Sequence, residues 1–249
     1  MTGNFYDKVA KKFGEYHTRA RYIKECIDED PEVVFESKLF EVATPEKIAL
    51  DVGCADGRFT LSIASYFRKI VAIDVSKEML KSAKNLQQKK RVKNVEFEEQ
   101  DAKHTTFKDE SFDVVYNRRG PSNHKEAFRL LKLGGCHLQI DIGEKDCQEI
   151  KKVFGRRQGY GQKDESRLKK DVEKLKTIGF DIVYAKEFFY SEFYPTYQDF
   201  DLFLQGVPIF EDFDSKKDRK FLEKYVSKYS HKKGIQLQRH RVVTVSKKS

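Results

Sequence analysis

Between Lys47 and Ile142 the chain alternates two hydrophobic patterns. Short apolar runs at 47–52, 70–74, 95–97, 112–116 and 136–142 predict buried strands, the first of them ending in a glycine turn. Between the runs, apolar residues recur every three to four positions. Phe59, Ile63 and Phe67 share one helical face, and Met79, Leu80, Ala83 and Leu86 share another, with Ser76 placed to cap that helix. A further helix around 126–133 is expected to stop at Gly134-Gly135, because glycine tolerates a left-handed cap. Five alternations of strand and helix imply right-handed crossovers, and so a parallel sheet covered on both faces.

The flanks read differently. Phe5, Val9, Phe13 and Tyr16 predict an amphipathic first helix, and a second runs through 33–42 after Pro31. Beyond the alternating region, Leu168, Val172, Leu175 and Ile178 predict a helix closed by Gly179. Strands follow at 180–189 and 241–246, with two helices between them capped by Thr196 and Ser215. This divides the chain into a helical cap at 1–43 and a core at 44–249. Within the core, the aromatic-rich stretch 190–232 is expected to form a lid over a substrate site.

Composition narrows the picture only a little. The 249 residues carry a formal net charge of +9, which is compatible with an acidic partner such as RNA and equally with a lysine-rich surface. No apolar run is long enough to span a bilayer and no secretory leader is visible, so no membrane span is expected. Cys26, Cys54, Cys136 and Cys147 form no C-x-x-C pair, which predicts a reduced, cytoplasmic protein without a metal site.

The strongest chemical signal is Asp51-Val-Gly-Cys-Ala-Asp-Gly57, a loop between a strand and a helix. Glycines there let backbone N–H groups approach a ligand closely. The spacing is not the G-x-G-x-x-G that cradles a pyrophosphate, which argues against a nicotinamide cofactor. Asp74 ends the second strand, where it can accept hydrogen bonds from ribose hydroxyls. Asp101 follows the third, where it can meet an adenine amino group. All three features fall at carboxyl ends of strands, the edge at which open α/β sheets bind ligands.

These segments resemble the class I S-adenosylmethionine (SAM)-dependent methyltransferases, notably the group containing ubiquinone/menaquinone-type and small-molecule enzymes. The matching pieces are DVGCADG at 51–57, VAIDVSKEML at 71–80, EEQDAKHTTFKDESFDVVYN at 98–117 and LLKLGGCHLQI at 130–140. The resemblance implies a Rossmann-like seven-stranded, mostly parallel sheet of order 3-2-1-4-5-7-6 with its last strand antiparallel. It implies SAM as cofactor, with Asp51, Gly53, Ala55 and Gly57 around the methionine part. Asp74, Val75 and Met79 would hold ribose and adenine, Asp101 and Ala102 would meet the adenine edge, and Asn117 would lie beside the sulfonium. The opening YDKVAKKFGEY resembles the helix that caps the cofactor. Two departures exclude subclasses: there is no N-P-P-Y or D-P-P-Y after strand four, and no Pro-Cys nucleophile.

For the acceptor side, His124 is the candidate base and His104 a weaker one. Arg118 and Arg119 are placed to clamp a carboxylate or phosphate, and Arg156 with Arg157 forms a second basic loop. The expected function is methyl transfer to a small, anionic acceptor. The alternatives are an RNA methyltransferase and a SAM- or nucleotide-binding protein without catalysis.

Overall fold

The computed structural model describes residues 3–14, 18–156 and 165–249; Tyr16 and Arg157 lie outside them. Its strands are β1 (Ile23–Cys26), β2 (Ile48–Val52), β3 (Lys69–Asp74), β4 (Val95–Glu99), β5 (Phe112–Arg118), β6 (Leu131–Ile142), β7 (Phe180–Tyr194), β8 (Ser230–His231) and β9 (Gly234–Lys248). They form one sheet of order β1-β7-β9-β6-β5-β2-β3-β4, with β8 attached to β9. Strands β2 to β6 pair in parallel, and β9 runs antiparallel to both β6 and β7. Numbered from the glycine-loop strand, the expected order 3-2-1-4-5-7-6 is present. The sheet has nine strands rather than seven because β1 adds an edge strand along β7 and β8 forms a short hairpin on β9.

The sheet is sandwiched as alternating strand residues require. One face packs Ala49, Ile70, Ala72, Tyr116, Ile140 and Val243 against helices α2 (Pro31–Val42), α3 (Arg58–Ile63) and α4 (Lys77–Lys90). The other packs Leu50, Val71, Ile73 and Val115 against α5 (His124–Leu130) and α7 (Arg167–Ile178). A separate cluster joins α6 (Gln148–Phe154), α8 (Tyr197–Gly206) and α9 (Arg219–Tyr229) to the ends of β7 and β9 through Tyr194, Phe200, Leu222 and Leu237. The aromatics of 190–232 therefore build a small core of their own, and 190–194 belong to β7.

Several local expectations are corrected. The helix before β6 ends at Leu130, not at Gly134, and Leu131 already pairs with Phe112. Gly134, at φ 78°, lies in the irregularity between that pair and Val114↔Cys136. The helix after the glycine loop stops at Ile63 and tightens into a 3₁₀ turn over Ala64–Tyr66. Thr196 caps α8 as expected, but Ser215 does not cap α9, whose N-cap is Asp218; the Ser215 hydroxyl instead donates to Asp201. The segment 1–43 holds helix α1 (Gly3–Phe13) and α2, yet it also contributes β1 to the sheet. No helix of the described residues is long and apolar enough to cross a membrane.

Candidate cofactor and acceptor site

The β2–α3 loop is held from behind by β3. The Gly53 and Cys54 N–H groups both donate to the Ile73 carbonyl, at 2.9 and 3.0 Å. Gly53 has φ 80°, and a Cβ there would stand 2.9 Å from Pro121 Cδ. Glycine is therefore demanded twice at this point, by backbone conformation and by the loop after β5 pressing on it. Gly120 makes the same close approach from the other side: its Cβ would lie 2.7 Å from the Val52 carbonyl oxygen. Ala55 also has positive φ, at 47°, and Gly57 at 70° opens α3.

Asp74 stands at the end of β3. One carboxylate oxygen accepts the Ala55 N–H at 3.0 Å and the other the Ser76 N–H at 2.9 Å. Burial pushes its pKa up, against those backbone donors, which favour the charged form. Beside it Val75 is 46% exposed, an apolar surface open at the strand end. Asn117, at the end of β5, is buried, and its amide Nδ2 has no hydrogen-bond partner. It lines a narrow crevice with Val52, Ala102, Pro121 and Asn123. A carboxylate, an unsatisfied amide donor and an apolar platform suit an adenosyl group with its hydroxyls. None of these side chains is a cation, as a pyrophosphate would want.

Three of the expected cofactor residues have partners within the chain. Asp51 is buried, and its Oδ2 accepts from Thr60 Oγ1 at 2.6 Å and Tyr116 OH at 3.0 Å. Burial raises its pKa to about 6. It braces α3 against β5. Met79 is fully buried with Val9 and Ala10 of α1, and Ala55 packs on the same cluster. Asp101 is exposed, and its carboxylate holds the Lys103 N–H at 2.9 Å. Helix α1 is fastened over the loop by the Ser76 hydroxyl, which donates to Asp7 at 2.5 Å.

Arg118 and Arg119 share one partner that the sequence did not suggest. Arg118 Nη2 lies 2.6 Å from one oxygen of Glu32, and Arg119 Nη1 lies 2.5 Å from the other. Burial works to raise the Glu32 pKa, but Arg119 and Arg118 outweigh it and hold the group at about 2. Glu32 gives no local signal: it occupies the first turn of α2, capped by Asp30, 86 residues from Arg118. The Gly-Pro pair at 120–121 was visible, but its meeting with Gly53 was not.

His124 is not beside these arginines. It lies under α5 on the opposite face of the sheet, 7% exposed, with Nε2 3.6 Å from Asp171 and its ring against His137. Asp171 in turn binds Arg167 and Gln139. His104 is exposed. Arg156 pairs with Asp218 and Asp212, within the α6–α9 cluster. The potential metal-ligating atoms of Glu144, Glu187 and His240 lie within 4.8 Å of one another. His240 Nδ1, however, already accepts the Lys145 N–H.

The chain was compared with known proteins. Residues 43–154 match the family described as methyltransferase domain. The chain is 31% identical over 103 residues to the uncharacterized methyltransferase YcgJ of Bacillus subtilis, and 31% over 115 residues to the demethylmenaquinone methyltransferase of Lactococcus lactis. These matches cover 39% and 42% of this chain but only 41% and 46% of those relatives. The crystal structure of YcgJ superposes with a TM-score of 0.62 at 17% identity, covering 87% of this chain and 98% of that one. The [4+2]-cyclase SpnF also superposes at 0.62, with 17% identity, over 99% of this chain and 94% of its own. The architecture thus hosts more than one chemistry.

Proposed function

We propose that this chain, whose residues 43–154 match the methyltransferase domain family, transfers a methyl group from SAM to a small anionic acceptor. The observation that carries the reading is the adjacency of two sites at one strand end. Asn117 lines the adenosyl crevice, and the next two residues are the arginines gripped by Glu32.

Bound SAM supplies the electrophile, a methyl group on a positively charged sulfur. The chain's residues then act mainly by placement. Asp74 would offer the spare lone pairs of its two oxygens to ribose hydroxyls, and Val75 would pack on the adenine. Asn117 would donate its unpartnered amide N–H to the cofactor. The backbone around Gly53 allows close approach to the methionine part. Helix α1, over Met79 and Ala55, keeps water from the loop. Alignment of two reactants in this way can supply about 7–11 kcal/mol of a barrier. Arg119, with 36% of its side chain exposed, meets the acceptor's anion. A base is required only where the acceptor atom must lose a proton as it takes the methyl group. His124, enclosed with Asp171, acts by holding α5 against α7.

The test uses purified protein, calorimetry with SAM, and methyl-labelled SAM incubated with metabolite fractions sorted by charge. Label should move to compounds retained on an anion exchanger. SAM binding with transfer only to neutral or cationic fractions would overturn the anionic acceptor. Binding with no transfer to any fraction would leave a cofactor-binding protein without methyl transfer.

A further inference from the structure

Strand register places a second pair of arginines beside the first. Arg118 is opposite Ile140 on β6, and Ile142, two residues further along β6, is opposite Arg241 on β9. Side chains alternate between faces, so Arg118, Ile140, Ile142, Arg241 and Arg239 all lie on the α2 side. By strand spacing, the Cα atoms of Arg118 and Arg241 stand roughly 12 Å apart. Two extended arginine side chains reach into such a gap from either end. Between them Ile142 is 39% exposed at the carboxyl edge, an apolar floor.

The hydrogen bonding of this group is incomplete. Arg239 and Arg241 share Asp146, at 3.0 and 2.7 Å, and Arg239 also binds Glu192. With Arg118 and Arg119 on Glu32, four guanidinium groups share three carboxylates in direct ion pairs. Arg118 Nε and Arg241 Nε are both buried without a hydrogen-bond partner. Leaving a buried charged donor unsatisfied is costly, so the pair calls for an acceptor. Aromatic surface adjoins both: Arg118 lies 3.9 Å from the Phe59 ring centroid, and Arg241 5.8 Å from that of Tyr190.

We propose that Arg118 and Arg241, flanking Ile142, form the seat for a carboxylate on an apolar, planar methyl acceptor, and that Glu32 is a positioning residue that aligns Arg118 and Arg119 toward it. This rests on the methyl-transfer reading above and specifies its substrate class. A guanidinium edge presents parallel donors that match the two oxygens of a carboxylate. The orphaned guanidinium donors take the anion, and the apolar floor of Ile142 takes the body that bears it.

The experiment titrates protein loaded with S-adenosylhomocysteine, the demethylated cofactor, with benzoate, benzamide and inorganic phosphate. Benzoate should bind and benzamide should not. Arg118→Gln and Arg241→Lys should each weaken benzoate at least tenfold while cofactor affinity stays within twofold. Glu32→Gln removes a negative charge, which by Coulomb attraction alone would tighten anion binding. A positioning role instead predicts several-fold weaker binding, and tighter binding would overturn that role. Absence of benzoate binding, equal binding in the arginine variants, or tighter binding of phosphate than benzoate overturns the carboxylate seat. If Arg241→Lys does not fold, Arg118→Gln decides. Failure of the wild-type protein to bind the cofactor product would instead sink the methyl-transfer reading itself.

Discussion

The Ala55 N–H donates to the Asp74 carboxylate at 3.0 Å, so the acidic end of β3 and the glycine loop after β2 are one hydrogen-bonded unit. An acid placed for ribose also sets the loop's conformation, at a residue whose φ is positive without glycine. Asp74→Ala should therefore weaken SAM by about 10- to 100-fold, the loss of one charge-assisted hydrogen bond at about 1.5–3 kcal/mol. Calorimetry on a variant with native circular dichroism checks this, and unchanged affinity would remove Asp74 from the cofactor site.

Gly53→Ala places a methyl group 2.9 Å from Pro121 Cδ at φ 80°. The backbone cost alone is about 1–2 kcal/mol, and the loop after β5 must move as well. A drop in thermal midpoint together with weaker SAM binding is expected. A fully stable variant with native affinity would show that the two loops do not press on each other in solution.

Glu32 links stability to pH. Its folded pKa of about 2 lies below the ordinary 4.5, so its stabilisation is fully present above pH 4.5 and is lost as pH falls toward 2. The side chain is 19% exposed, and the shift corresponds to about 3 kcal/mol. The difference in unfolding free energy between wild type and Glu32→Gln should be flat above pH 4.5 and shrink below it. A difference independent of pH over that window would contradict the ion pair.

Asp51 has the opposite sign. A carboxyl group raised to about 6 by burial disfavours the folded state when ionised, so stability should rise as pH falls from 7 toward 4. Asp51→Asn should lack that rise, as denaturant melts at several pH values would reveal.

His124→Gln should cost about 1–3 kcal/mol of stability through the lost contact with buried Asp171. SAM affinity should be little changed. A stable variant that binds SAM and acceptor but turns over a hundredfold more slowly would restore His124 as the base.

The parallel half was legible because its strands are short apolar runs with loops between them; their order in the sheet followed from the family resemblance. Asp74 was singled out because strand ends mark the ligand edge, and Asn117 by the resemblance alone. Glu32, Arg239 and Arg241 could not. Each acts through partners far along the chain, and arginines inside a strand look like solvent-facing positions until β6 and α2 cover them. His124 misled for a related reason: sequence gives its position after β5 but not the face of the sheet onto which the chain turns. The Gly134-Gly135 pair looked like a helix stop, yet tertiary pairing of Leu131 with Phe112 ended the helix sooner.

Strand β9 touches β6 on one side and β7 on the other, and among the described strands it is the sole hydrogen-bonded bridge between the parallel half and the edge formed by β7 and β1. The parallel half and that edge are thus stitched together by β9. Such late, long-range pairing makes docking of the two a slow event in folding. A loosened β9 should separate the halves before either one melts.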